Sequence, residues 1–258
     1  MNATLLHPQA TGFQAAKVRC LACEATGVEI TREHFWPKWL IGRTGSRHTG
    51  VRWLGGKKIS PTSATIPLCA ACNHQFGAEL EAHVLKIFDS LETGGGISDF
   101  QAELLVRWMW KFEGFGWLLN DTLRTYSHIS TLRNRVLNRL GSYRSSVCLA
   151  LSLIDHIDPS FGDSPMGIDS ENQCNCIFVS GVFSRVAIVV LLSNFSGLLP
   201  KEYSVYHFEP TAREVTEHAS LFRPRVGFQN DVEAVGTTRL ISLELSRLHD
   251  KFARSSES

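Results

Sequence analysis

Four of the seven cysteines fall in two pairs, Cys20-Leu21-Ala22-Cys23 and Cys69-Ala70-Ala71-Cys72. A Cys-x-x-Cys turn lets both sulfurs converge on one ion, and two such turns complete a tetrahedral structural zinc site. One pair alone would also suit thiol–disulfide exchange, but that chemistry needs a thioredoxin-like βαβ context, which neither flank offers. The 45 residues from Glu24 to Leu68 exceed the roughly 15–20 that separate the knuckles of a simple ribbon, so the zinc must close around an inserted element. That element opens with a short alternating stretch ending in the adjacent Glu33 and His34, just before the Pro37 turn. Asn73 follows the second pair at once. Phe76, Leu80, Val84 and Phe88 then recur at helical spacing.

The inserted stretch is also basic. From Lys38 to Lys58 stand Lys38, Arg43, Arg47, Arg52, Lys57 and Lys58 with no acid among them. A loop or hairpin so charged suits a phosphate backbone, and nucleic acid is the expected partner. A solvated surface stretch is the plainer alternative.

These residues need a scaffold to position them. Helices are expected over Phe76 to Leu91, Asp99 to Leu118 and His128 to Leu140, with the break at Thr93-Gly94-Gly95-Gly96 separating the first two. Residues Leu123 to Arg144 carry Arg124, Arg133, Arg135, Arg139 and Arg144 against no acid, either a second phosphate surface or a solvated helix face. Strands are expected over Ser146 to Ile154, Cys174 to Val182 and Arg185 to Ser193, the last two joined by a tight turn near Gly181 to Ser184 into an antiparallel sheet. Thr237 to Arg254 reads as a terminal helix. The fold class is α+β, with a zinc-stapled unit over residues 1–120 and a second α+β domain over residues 121–258. Cys148, Cys174 and Cys176 lie in apolar segments and are expected to be inert.

The chain of 258 residues has 43% hydrophobic and 20% charged residues and a net charge of +1, the composition of a soluble globular protein. Residues 1–20 lack the pattern of a signal peptide, and the longest aliphatic run, Val186 to Leu192, is far short of the roughly 18 residues a membrane span needs. A cytoplasmic protein is therefore expected, with no membrane partner.

The layout of knuckle, Glu-His strand, basic insertion, knuckle and helix resembles the HNH endonuclease family and its ββα-metal finger. It is most similar to a bacterial branch with Glu-His-x-x-Pro-Lys-Trp-Leu, here Glu33 to Leu40, then Cys-x-x-Cys-Asn, here Cys69 to Asn73, and a helix carrying Leu80-Glu81. The resemblance covers about residues 18–118, including the Gln101 to Trp117 stretch with Trp108 and Lys111. It implies an N-terminal HNH finger packed on helices and hydrolysis of DNA phosphodiester bonds, leaving a 5′-phosphate. It also implies that Glu33 and Asn73 bind a catalytic Mg²⁺ or Mn²⁺ ion and that His34 activates water.

The chemistry agrees with those residue types. A neutral imidazole can take the proton of water near pH 7, and a carboxylate with an amide carbonyl offers the hard oxygens Mg²⁺ prefers. The chain departs from the family in having no Asn between Glu24 and Cys72 to brace the base, a role left to Ser60, Thr62, Ser63 or Thr65. His74 beside Asn73 is the alternative ligand. A standalone nuclease of this kind would suit phage defence or a mobile element. The rival reading is a non-catalytic zinc-finger protein that binds nucleic acid, and a third is a zinc-stapled protein-interaction module. Residues 121–258 are left for target recognition, self-association or a regulatory partner.

Overall fold

The computed structural model describes residues 19–52, 58–119, 131–158, 166–169, 178–210 and 221–255. Expectations for Lys57, Arg124, Cys174 and Cys176, and for the first residues of the His128 helix, lie outside them. The chain is mixed α and β.

Strand β1 (Ile30–His34) pairs antiparallel with β4 (Thr65–Cys69), His34 opposite Thr65 and Glu33 opposite Ile66. The connection between them is not the loop or hairpin expected throughout. It begins with helices α1 (Lys38–Thr44) and α2 (Ser46–Thr49) and continues with a small hairpin of β2 (Val51–Arg52) and β3 (Lys58–Ile59). Gly45 supplies the left-handed φ of 67° that ends α1 and turns the chain into α2.

From Cys69 the chain runs directly into a rod. It consists of α3 (Ala70–Phe76), a π-helical turn at Gly77–Glu81, and α4 (Ala82–Glu92). The Cys69 sulfur caps α3 by accepting from the Cys72 N–H at 3.4 Å. The periodic residues Phe76, Leu80, Val84 and Phe88 are all fully buried, as their spacing predicts. The wider π turn also carries Glu81 inward. Helix α5 (Asp99–Leu119) lies across this rod, and the short α6 (Leu132–Leu137) packs against α5.

The remaining strands form one sheet in the order β10-β5-β8-β7-β6, with β9 also pairing β5. They are β5 (Val147–His156), β6 (Met166–Asp169), β7 (Val179–Phe183), β8 (Val186–Leu192), β9 (Ser204–His207) and β10 (Val226–Asn230). The three expected strands pair antiparallel, β5 with β8 and β8 with β7, and the sheet as a whole is mixed because β10 joins β5 in parallel. Five residues with one fully buried side chain, Phe228, give the sequence little strand signal there. The β7–β8 turn falls at Ser184 and Arg185, since Gly181 still pairs with Ile188.

Strands β5 and β8 are apolar on both faces because both faces are covered. Leu149, Leu151, Ile188 and Val190 share a core with α4 and α5, while Cys148, Ala150, Ala187 and Val189 meet Ala234, Ile241 and Leu245 of the terminal helix α7 (Asp231–Ser255). The first core runs across residue 120 without a break: Trp108 of α5 meets Phe183 of β7 edge to face at 4.9 Å. Cys148 is fully buried, and burial alone pushes its thiol up to about 12. Among the described residues no helix is long and apolar enough to cross a membrane.

Candidate functional site

The four paired cysteines converge. Their sulfurs all lie within 4.8 Å of one another, with Cys23 and Cys69 at 3.8 Å. Two local structures achieve this. The first knuckle closes through Glu24 N–H to Cys20 O at 2.8 Å, with Glu24 itself at φ 62°, and is tied to β4 by Leu21 N–H to Pro67 O at 3.1 Å. The second knuckle is the junction of β4 and α3. Burial works against an ionised Cys20, but backbone N–H groups at Cys69, Cys23 and Ala22 outweigh it and bring the thiol down to about 7. Four sulfurs in this arrangement could hold a metal ion, and the donor set is that of structural zinc. Among the described residues no other group of three or more His, Cys, Asp or Glu side chains is drawn together in this way.

His34 ends β1 beside a cavity of about 580 Å³. Helix α1 contributes Lys38, Ile41 and Gly42 to its wall, the turn and α2 contribute Gly45 and Arg47, and Thr62 completes the described lining. Phe35 and Trp36 fix the strand's exit: both are buried, and Phe35 meets the rings of Phe112 and Phe115 at 5.4 and 6.3 Å. The His34 Nδ1 atom is buried and has no hydrogen-bond partner among the described residues. None of the four hydroxyl residues expected to brace that nitrogen does so. Ser60 and Thr62 bond each other at 2.7 Å, Ser63 bonds the Ser60 carbonyl, and Thr65 faces His34 only as its strand partner.

Side chains alternate along a strand, so Thr31 and Glu33 share one face of β1. That face turns toward α3 and α5. Asn73 donates its Nδ2 to Thr31 Oγ1 at 2.9 Å, and Glu33 Oε1 lies 3.6 Å from Lys111 Nζ. His74 is exposed, so Asn73 rather than His74 addresses the strand. Glu33 and Asn73 thus lie on one side of β1 and His34 turns to the cavity. Burial raises the Glu33 pKa, opposed by the Lys111 ammonium and reinforced by the Glu81 carboxylate.

Lys111, Glu81 and two tryptophans form a network, whereas the sequence alone leaves Glu81 and His83 open between a solvated helix face, a contact behind the ligands and metal ligation. Glu81 accepts from Lys111 Nζ at 2.6 Å, from Trp108 Nε1 at 3.1 Å and from Trp39 Nε1 at 3.2 Å. A lysine and a tryptophan three positions apart in α5, facing a Leu-Glu step in the preceding rod, were the available signal. His83, two positions further, is exposed.

The expected phosphate contacts divide. Lys38 and Arg47 are exposed and line the cavity, and Lys58 is exposed on β3. Arg52 stands on β2 opposite Lys58. Arg43 is different: it is bound to Asp89 and Glu92 and stacked over Trp39 at 5.6 Å, so its charge is spent within the protein. The described arginines of the second basic stretch are likewise occupied internally. Arg133 donates to Gln75, Arg135 pairs with Glu113, Arg139 with Glu103, and Arg144 with Asp99 and Glu103. Arg133 ties α6 to α3, and the other three tie α6 and the segment leading into β5 to α5.

Compared with family models, with curated proteins and with solved structures, the chain has no match.

Proposed function

We propose that the chain is a metal-dependent endonuclease of the HNH type that hydrolyses DNA phosphodiester bonds, with one structural zinc at Cys20, Cys23, Cys69 and Cys72. The observation that carries this reading is the cavity beside His34, in which an imidazole and the cations of Lys38 and Arg47 surround one open volume. The antiparallel β1–β4 pair leading straight into α3, with Asn73 against β1, supports it.

In this reading His34 takes the proton of the attacking water, a step worth roughly 10²–10⁴-fold. Lys38 and Arg47 hold the phosphate and offset the charge that grows on it. Glu33 and Asn73 offer a carboxylate and an amide oxygen from β1 and α3, a donor pair that fits Mg²⁺ or Mn²⁺ retaining most of its waters. Such an ion, when bound, stabilises charge on the phosphate and the leaving oxygen. The phosphate must reach round the end of β1 to meet both His34 and this pair. A cytoplasmic role in phage defence or a mobile element rests on the family resemblance alone.

One observation favours the second reading, a zinc-stapled protein that binds nucleic acid without cutting it. Lys111 already gives Glu33 a cationic neighbour at 3.6 Å. Supercoiled-plasmid cleavage with Mg²⁺ or Mn²⁺, run beside His34→Ala at matched zinc content, separates the two. Cleavage that falls by about 10²-fold or more in the variant is the expected result. Equal cleavage by both proteins refutes the assignment of His34. Salt-sensitive DNA binding with no cleavage by either supports the second reading.

A further inference from the structure

Gly42 sits inside the seven-residue helix α1, four positions after Lys38. Glycine in a helix interior costs roughly 0.5–1 kcal/mol relative to alanine. Two ordinary reasons for accepting that cost are missing. Gly42 is not among the glycines with positive φ, unlike Gly45 three residues later. A Cβ built on Gly42 would meet no atom within 4 Å outside its own helix, so no neighbour forbids a side chain. Gly42 is exposed, and what it borders is the cavity beside His34.

We propose that Gly42 is a substrate-admitting residue: its missing side chain leaves room for one nucleotide unit of a nucleic-acid strand to enter the cavity. The lining states the chemistry of the occupant. Lys38, Arg47, His34 and Thr62 offer nitrogen and hydroxyl groups, Ile41 offers an apolar surface, and none of the described lining residues is acidic. Such walls suit an anion with an apolar body. A volume of about 580 Å³ lies within the roughly 300–1,000 Å³ of sites that enclose a small organic molecule, more than a bare phosphate needs. Phosphate at the cations with sugar and base against Ile41 and Gly42 uses that space. A nucleotide taken into a pocket must leave the base stack, which costs a few kcal/mol in a paired duplex and far less in a single strand. Unpaired strands are therefore the preferred substrates. The inference deepens the nuclease reading and relies on it only for what happens to the bound strand.

The test is binding without turnover. Fluorescence anisotropy with a labelled single-stranded oligonucleotide and with its fully paired duplex, without added divalent ion, is measured on the full zinc-loaded chain and on Gly42→Ala, Gly42→Leu and Gly42→Gln. The wild type should bind the single strand at least about tenfold more tightly than the duplex. Gly42→Leu and Gly42→Gln should each lose about tenfold or more for the single strand, with Gly42→Ala between, while thermal midpoints stay level or rise. The glutamine variant keeps the test decisive if the leucine variant aggregates. Wild-type affinity in a well-folded Gly42→Gln overturns the inference, as does equal affinity for single strand and duplex. Competition by inorganic phosphate as effective as that by a mononucleotide also overturns it, reducing the site to a phosphate contact. Loss of binding in Gly42→Leu from a protein that never cleaves DNA would sink the nuclease reading and leave this one standing.

Discussion

Lys111 Nζ lies 2.6 Å from Glu81 Oε1 across thirty residues of sequence, and the lysine side chain is 0% exposed. A buried ammonium persists only when it is paired, and Glu81 is held in place for that pairing by the indole N–H groups of Trp39 and Trp108. Glu81→Gln should lower the unfolding free energy by about 3 kcal/mol, because it leaves the buried cation only the more distant Glu33 carboxylate at 3.6 Å. Lys111→Met should cost a similar amount. The double variant should cost clearly less than the two together, as read from urea denaturation. Strict additivity would mean that the two groups do not depend on each other.

The cysteine cluster should carry one zinc per chain by atomic absorption. In finger peptides zinc contributes on the order of 10–16 kcal/mol, and here one ion would tie the Cys20 knuckle to the β4–α3 junction. Cys72→Ser should lose the metal and open Cys20 to His34 to proteolysis. A metal-free wild type with an unchanged thermal midpoint and the same protease resistance would refute a structural role.

Arg43 and Arg47 are four positions apart and should behave differently. Arg47→Ala and Lys38→Ala should each weaken nucleic-acid binding and reduce the salt slope by about one. Arg43→Ala should leave that slope unchanged and instead cost about 1–3 kcal/mol of stability, because its guanidinium bonds Asp89 and Glu92. A lowered salt slope in Arg43→Ala would show that the arginine leaves those carboxylates to meet phosphate.

Glu113 is an almost buried carboxylate beside Arg135. Burial raises its pKa above the ordinary 4.5, and the arginine offsets only part of that. A carboxyl group that holds its proton more tightly when folded loses stability as pH rises from 4.5 through the raised value. Glu113→Gln should flatten that decline and be the more stable protein above it. Urea midpoints between pH 4.5 and about 8 measure this. Midpoints that fall in parallel for both proteins would assign the decline to other groups.

The parts of the fold legible in the sequence are those set by local spacing. Phe76, Leu80, Val84 and Phe88 repeat at the helical period and are buried; the apolar runs at Val147 and Val186 are strands covered on both faces. Strand β10 was not legible, because a five-residue parallel partner depends on where β5 lies and not on its own pattern.

The same division holds at the site. The two Cys-x-x-Cys turns could be read directly because each knuckle is local, while their convergence to within 4.8 Å depends on the tie of Leu21 to β4. The candidate base followed from its place between them. Tertiary structure decided the rest. It spent Arg43, Arg135, Arg139 and Arg144 on carboxylates 22 to 49 positions away, turned Glu81 inward through a π turn, and opened a cavity at Gly42. Charge and hydrogen-bonding groups act over a few ångströms in space whatever their separation along the chain, so their partners are fixed only when the elements that carry them have packed.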